Sequence, residues 1–121
     1  MDGRETEIAP AQSTSREPSA RPAISIVIPL LNEEANIPTL YRELTDVLLD
    51  YGRSYEILFI DDGSKDGTFA LLSSLHASDS RIRIIRFRKN FGQTAALAAG
   101  FDHARAHVIV TLDGDLQNLQ R

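Results

Sequence analysis

The sequence predicts an α/β fold, in which a parallel β-sheet carries helices on both faces. Four short runs rich in β-branched and apolar residues are predicted strands, namely Ala23–Pro29, Tyr55–Ile60, Ile82–Phe87 and Val108–Leu112. In the first run the apolar residues do not alternate cleanly with polar ones, which is typical of a strand covered on both faces. Helical stretches separate the strands, and this alternation favours a parallel sheet with right-handed crossovers.

Three helices are predicted between these strands. The first covers Ile37 to Tyr51, where apolar residues recur at helical spacing and Gly52 is placed to end the helix. The second covers about Thr68–Ala77. The third covers Gln93–Arg105, and its many Ala residues would let it pack close to the sheet.

The composition is that of one folded domain behind a polar tail. The chain has 121 residues, 42% of them hydrophobic, which can supply one core. Residues 1–22 are rich in Ser, Pro, Ala, Arg and Glu, and we predict that they form a disordered tail. The predicted domain therefore covers residues 23–121.

Charge and cysteine content exclude several classes of protein. The formal net charge is −4, which argues against general nucleic-acid binding because that function needs a basic face. The sequence has no Cys, so it has neither a disulfide framework nor thiol chemistry. Its N-terminal region does not resemble a secretory signal, and no run approaches the roughly 20 apolar residues of a membrane span. We therefore expect a soluble, cytoplasmic protein.

Polar and acidic residues follow the ends of all four predicted strands. They are Asn32-Glu33-Glu34, Asp61-Asp62, Arg88-Lys89-Asn90 and the pair Asp113 and Asp115. Ligands of open α/β sheets bind beyond the carboxyl ends of the strands, so this edge is a predicted binding edge. The alternative is a solvated polar rim, but such a rim need not repeat acid pairs.

Asp113 and Asp115 are separated only by Gly114, directly after the last predicted strand. Two carboxylates so close repel each other unless a positive charge lies beside them. Mg²⁺ and Mn²⁺ prefer oxygen ligands of this kind, and Gln117 can add a neutral carbonyl oxygen. The alternative is a polar turn, because Asp-Gly is a common turn dipeptide.

Other motifs are weaker. Asp62 begins a segment similar to a calcium loop, but its twelfth position is Ser73 and not the required Glu. The sequence also has neither a Walker A motif nor a Gly-x-Gly-x-x-Gly motif after the first strand. Arg81, Arg83 and Arg86 are expected on a solvated strand face, whereas Arg88 at the strand end could meet a phosphate.

Four motifs in order resemble a known family. They are SIVIPLLNEE, EILFIDDGSKDGT, RKNFGQTAALAAGF and VIVTLDGDLQN, and the resemblance runs from about Ile24 to Asn118. They are similar to family 2 glycosyltransferases of the GT-A type, and within that family to the polyprenyl-phosphate sugar transferases. The resemblance implies a Rossmann-like sheet that forms the N-terminal, nucleotide-binding half of a GT-A domain.

The resemblance also implies roles for individual residues. Pro29 and Glu33 would line the nucleotide pocket, and Asp62 would accept a hydrogen bond from the base. Asp113 and Asp115 match the catalytic Asp-x-Asp motif, which binds Mg²⁺ or Mn²⁺ with Gln117 as a further ligand. The cation would bridge the diphosphate of the donor and offset the charge of the leaving group.

The implied reaction transfers a sugar, with inversion, from a UDP- or GDP-sugar to a polyprenyl phosphate at the cytoplasmic face of the membrane. The family usually continues after Asp-Leu-Gln-Asn with a Pro-rich stretch and Glu, but here Leu119-Gln120-Arg121 follows. We therefore expect a truncated product, a fragment or a frameshifted copy, which is inactive alone and poorly stable. The sequence predicts no particular oligomeric state, sugar or base.

A receiver-like signalling module, or another non-catalytic metal- or nucleotide-binding module, is the alternative from a different class. Receivers also pair acids near a metal at strand ends. They place that pair after the first strand, however, whereas here Asp61-Asp62 follows the second strand.

Overall fold

A computed structural model describes residues 6–8 and 21–113 of the protein. These residues form five strands and three helices. In chain order they are β1 (Thr6–Ile8), β2 (Ile24–Leu30), α1 (Ile37–Tyr51), β3 (Tyr55–Asp61), α2 (Thr68–Ser78), β4 (Ile82–Phe87), α3 (Gln93–His103) and β5 (Val108–Thr111). The strands predicted from sequence agree with β2 to β5 to within one residue at each end.

The strands form one sheet in the order β1-β4-β3-β2-β5. β2 to β5 are parallel to one another, and only β1 is antiparallel, at the outer edge of β4. Because β2 lies between β3 and β5, the chain first adds strands on one side of β2 and then crosses to the other side. The carboxyl ends of β2 and β5 therefore flank a topological switch point.

Helices cover both faces of the sheet, as predicted. On one face α1 and α2 bury Ile37, Leu40, Leu44, Leu48 and Leu72 against Ile28, Phe59 and Ile84 of the strands. On the other face Ala96 of α3 packs with Val27, Leu58, Ile60 and Ile85. Successive strand residues thus contribute to opposite faces, which explains the nearly continuous apolar runs in β2 and β3.

The predicted disordered tail includes one short strand, Thr6–Ile8. These three residues pair with β4 in the register Thr6–Phe87, Glu7–Arg86 and Ile8–Ile85, so the prediction of disorder is wrong for them. The physical reason is the open edge of β4, whose unpaired backbone groups can accept another strand. The prediction for residues 1–5 and 9–20 lies outside the described residues.

A buried ion pair at the amino edge of the sheet corrects the prediction for Arg83. Its side chain is buried, not solvated, and its Nη1 donates to Oε1 of Glu56 at 2.9 Å and to the His103 carbonyl at 2.8 Å. Glu56 is 1% exposed and also accepts from the Ser25 hydroxyl at 2.6 Å. Arg81 and Arg86 are exposed, as expected.

The same carboxylate ends α3 earlier than predicted. The helix stops at His103 instead of Arg105, and Ala104 is extended. The Arg105 backbone N–H donates to Oε2 of Glu56 at 2.8 Å, and the Ala106 N–H donates to the Ser25 hydroxyl at 3.1 Å. These buried acceptors take the N–H groups that a longer helix would have used.

Gly100 lets α3 pack closely on the sheet. A Cβ at this position would lie 2.3 Å from Cγ1 of Val27 and 3.1 Å from Cδ1 of Ile60. We expect Gly100→Ala to lower the free energy of unfolding by about 1–2 kcal/mol, because overpacking outweighs the better helix propensity of Ala. Urea unfolding measures this change, and exposed Ala98→Ser in the same helix is the control. Equal or greater stability of Gly100→Ala would contradict the close packing.

Candidate functional site

A cavity of about 320 Å³ opens at the carboxyl edge of the sheet, at the switch point between β2 and β5. Its walls come from the ends of β2, β3 and β5 and from the segment that joins β4 to α3. The lining residues are Pro29, Leu30, Leu31, Glu33, Asp62, Asn90, Gly92, Gln93 and Asp113. Four residues predicted from sequence to bind the nucleotide, Pro29, Glu33, Asp62 and Asp113, are thus brought together.

The lining combines an apolar wall with carboxylates and amides. Pro29, Leu30 and Leu31 form the apolar part, whereas Glu33, Asp62 and Asp113 contribute carboxyl groups. None of the lining residues in the described part of the chain is Lys or Arg. The described part of the cavity lining therefore carries acidic side chains as its only charged groups.

Glu33 is held by hydrogen bonds between the loops that follow β2 and β3. Its backbone N–H donates to the Thr68 hydroxyl at 2.9 Å, and its Oε1 accepts from Nδ2 of Asn36 at 2.7 Å. On either side of it, the Lys65 N–H donates to Oδ1 of Asn32 and the Gly67 N–H donates to Oε1 of Glu34. These hydrogen bonds between the two loops fix the position of the backbone at Glu33, which lines the cavity.

Asp62 is 4% exposed, and both of its carboxylate oxygens accept hydrogen bonds from the segment after β4. Oδ1 accepts from the Phe91 N–H at 2.8 Å, and Oδ2 accepts from Nδ2 of Asn90 at 3.0 Å. The Gly92 N–H is shared between the two oxygens, at 3.3 Å and 3.1 Å. Asp62 was predicted to accept a hydrogen bond from the nucleotide base. These contacts do not test that role, and it stays a prediction.

The loop after β3 lies against the segment after β4. Gly63 has φ +77°, and a Cβ there would lie 2.4 Å from the carbonyl carbon of Lys89. Only a residue without a side chain fits this position.

The aromatic ring of Phe91, which is 42% exposed, packs edge-on against Phe87 with ring centroids 5.5 Å apart.

Asp113 is the one residue of the predicted metal-binding set that falls within the described residues, and it lines the cavity. Asp115 and Gln117 lie outside them. Within residues 6–8 and 21–113, no three His, Cys, Asp or Glu side chains are grouped so as to hold a metal ion. The residues present fit a cation in their chemistry, since Asp113 supplies a carboxylate to a cavity whose described lining residues include no basic side chain.

Arg88 is exposed after the end of β4 and is not among the residues that line the cavity. Its predicted phosphate contact stays a prediction. The sequence interpretation placed Asn90 at the predicted binding edge, but it missed Gly92 and Gln93 as lining residues, although they belong to the RKNFGQ part of a motif. The signal was present in that motif, because a polar segment between a strand end and a helix lies at the binding edge of a parallel sheet.

The fold and the cavity define an α/β domain with a ligand site at its switch point. The family model for glycosyl transferase family 2 matches residues 25–120, and the chain belongs to this family. It is 43% identical over 96 residues to the undecaprenyl-phosphate 4-deoxy-4-formamido-L-arabinose transferase of Pseudomonas aeruginosa strain UCBPP-PA14. The protein from strain LESB58 has the same identity over the same length. The chain is thus a homologue of polyprenyl-phosphate sugar transferases.

Solved structures share the fold. The mannosyltransferase PcManGT of Pyrobaculum calidifontis, in complex with GDP-Man and Mn²⁺, has a TM-score of 0.64 at 22% identity. The comparison covers 85% of this chain and 30% of that one. TarS 1–349 of S. aureus in complex with UDP-GlcNAc has a TM-score of 0.63 at 18% identity, with coverage of 80% and 30%. These similarities confirm the predicted GT-A-like α/β fold.

The chain spans only part of its relatives. It matches with 78% of its own length, but this is 28% of the length of the Pseudomonas proteins. None of the helices within residues 21–113 combines the length and apolar character that crossing a membrane requires.

Proposed function

We propose that this chain binds the sugar donor in a transferase that moves a sugar from a UDP- or GDP-sugar to a polyprenyl phosphate. The observation that carries the proposal is the cavity at the switch point, where Glu33, Asp62 and Asp113 meet an apolar wall. An apolar wall suits a nucleoside, and the strand ends suit its phosphates. Family membership and the homology to undecaprenyl-phosphate sugar transferases support this choice over the receiver-like alternative.

A divalent cation completes the proposed site. Acidic residues and a nucleoside diphosphate repel each other, and no lining residue in the described part of the chain is basic. Mg²⁺ or Mn²⁺ would offset the negative charge of the acidic residues and that of the diphosphate. Asp113 would hold the cation, with Asp115 and Gln117 as further ligands. When bound, the cation would stabilise the diphosphate that leaves. The structure of PcManGT in complex with GDP-Man and Mn²⁺ supports the assignment.

The proposed acceptor needs little activation. A phosphate oxygen of a polyprenyl phosphate is already anionic and nucleophilic, so a strongly basic side chain is not required. One displacement at the anomeric carbon, opposite the leaving diphosphate, inverts that carbon. Such an acceptor lies in a lipid bilayer, so we place the reaction of the whole protein at the cytoplasmic membrane face.

Calorimetry on the 121-residue chain tests donor binding. We expect UDP or GDP to bind in the presence of Mn²⁺ and to bind at least tenfold more weakly after EDTA removes the metal. UMP and GMP are the controls, because they lack the diphosphate that would bridge to the cation. Equal binding of mono- and diphosphates, with or without Mn²⁺, would contradict the proposal.

Transfer of radiolabelled sugar tests the acceptor. UDP- and GDP-sugars are offered with a short polyprenyl phosphate in detergent, and with the corresponding polyprenyl alcohol as the control. We expect a lipid-linked product only from the phosphate, with a version of this chain extended by the C-terminal part of a homologue. Transfer to the alcohol at the same rate would contradict the proposal that a phosphate oxygen of the acceptor is the nucleophile.

A further inference from the structure

Asn32 has a backbone conformation that few residues other than Gly adopt. Its φ is +53°, and it is the one non-Gly residue in the described part of the chain with a positive φ. Residues with a Cβ are strained in this left-handed region, and Asn is among the few that tolerate it. β2 ends at Leu30, and the chain bends at Leu31 and Asn32. The unusual conformation thus lies where the chain leaves the sheet.

The backbone and the side chain of Asn32 are both bonded to the loop that follows β3. The Asn32 backbone N–H donates to the Ser64 hydroxyl at 2.8 Å. Its side-chain Oδ1 accepts from the Lys65 backbone N–H, also at 2.8 Å. Two hydrogen bonds to successive residues of one loop fix both the place and the orientation of Asn32.

The two neighbours of Asn32 line the cavity, whereas Asn32 is not among the lining residues. Leu31 and Glu33 belong to the cavity wall on either side of it. The two hydrogen bonds of Asn32 lie in exposed surroundings, where water competes for each partner and the net gain in stability is small. Their main effect is therefore on the position of the wall segment and not on the stability of the whole fold.

We infer that Asn32 is a positioning residue, which holds Leu31 and Glu33 in the cavity wall by anchoring them to the loop that follows β3. A wall segment that is fixed before a ligand arrives loses less conformational freedom on binding, so the ligand binds more tightly. This inference deepens the proposed function and rests on it for the identity of the ligand. The holding of the wall is a property of the chain without nucleotide, and it is tested separately.

Two substitutions separate the side-chain hydrogen bond from the backbone conformation. Gly adopts the left-handed conformation readily but has no acceptor for the Lys65 N–H, so Asn32→Gly removes the side-chain contact without adding strain. Asp tolerates the same conformation and keeps an acceptor oxygen in the place of Oδ1, so Asn32→Asp is the conservative variant. Asp46→Ala, which removes an exposed acid from α1, is the control.

Amide hydrogen exchange on the chain without nucleotide is the first test. In Asn32→Gly we expect exchange at Lys65 to become roughly tenfold faster and exchange at Glu33 to increase with it, while amides of α1 keep their rates. Asn32→Asp and Asp46→Ala should exchange like the parent at both positions. Parent-like exchange at Glu33 in Asn32→Gly would overturn the inference, whatever the ligand is.

Calorimetry with UDP and GDP in the presence of Mn²⁺ separates positioning from a purely structural role. We expect Asn32→Gly to weaken nucleotide binding roughly tenfold, while the midpoint of its urea unfolding stays close to that of the parent. Asn32→Asp should restore most of the binding. A lower midpoint combined with parent-like binding by the folded Asn32→Gly chain would overturn the inference. If the parent chain binds neither nucleotide, the proposed function fails, and the exchange experiment still decides the positioning role.

Ser64→Ala tests the second hydrogen bond from the opposite loop. This change removes the acceptor of the Asn32 N–H and leaves Asn32 itself intact. We expect exchange at Asn32 and Glu33 to become faster and Mn²⁺-dependent nucleotide binding to become weaker, in the same direction as for Asn32→Gly. A folded Ser64→Ala chain with parent-like exchange at Glu33 would likewise contradict the inference.

Discussion

Replacing Asp113 by Asn is expected to weaken Mn²⁺-dependent binding of UDP or GDP by about 100-fold. The change keeps the size of the side chain and removes one charge from a cavity that has no basic lining residue in the described part of the chain. A neutral amide oxygen is a poorer ligand for a hard cation than a carboxylate. Calorimetry with and without Mn²⁺ measures the loss, and the metal-independent part of the binding should change little.

Asp102→Asn is the matched control for this prediction. Asp102 is exposed near the end of α3, and it is not a lining residue of the cavity. It should leave nucleotide binding within twofold of the parent chain. If Asp113→Asn binds Mn²⁺ and nucleotide as the control does, the metal-binding role of Asp113 is wrong.

The position of the cavity could be predicted because it depends on local patterns. Apolar runs in the sequence predict buried strands, and parallel strands have their carboxyl ends at one edge of the sheet. The polar residues after these runs, such as Glu33, Asp62 and Asp113, therefore had to lie near one another. They line one cavity, although the first and the last lie 80 positions apart in the chain.

Long-range partners could not be predicted in this way. An Arg among apolar strand residues indicates a solvated face unless a buried acid lies opposite it. The residues close to Arg83 in the sequence do not indicate that Glu56 is its partner. The same holds for Asp62, whose donors lie on a segment that follows the next strand. The pairing of Thr6–Ile8 with β4 also depends on an edge that exists only after folding.

Replacing Glu56 by Gln is expected to lower the free energy of unfolding by about 3 kcal/mol at pH 7. Gln keeps the volume but leaves the charge of Arg83 buried without its partner. The Glu56 carboxylate now accepts from Ser25, Arg83 and the N–H and side chain of Arg105, at 2.6 to 3.1 Å. Urea unfolding measures the loss. Asp46→Asn, which removes an exposed acid from α1, should stay within about 0.5 kcal/mol of the parent.

The pH dependence of this loss identifies the charge as its cause. Burial raises the pKa of Glu56, but hydrogen bonds from Ser25, Arg105 and Arg83 outweigh burial and hold the pKa below its ordinary value of 4.5. A depressed folded-state pKa stabilises the protein above the ordinary pKa, and this stabilisation is lost as the pH falls through the folded value. The stability difference between the parent and Glu56→Gln should therefore be constant from pH 6 to 8 and should shrink below pH 4.5. A difference that stays constant down to the acid unfolding of both proteins would show that packing, and not charge, is what Glu56 contributes.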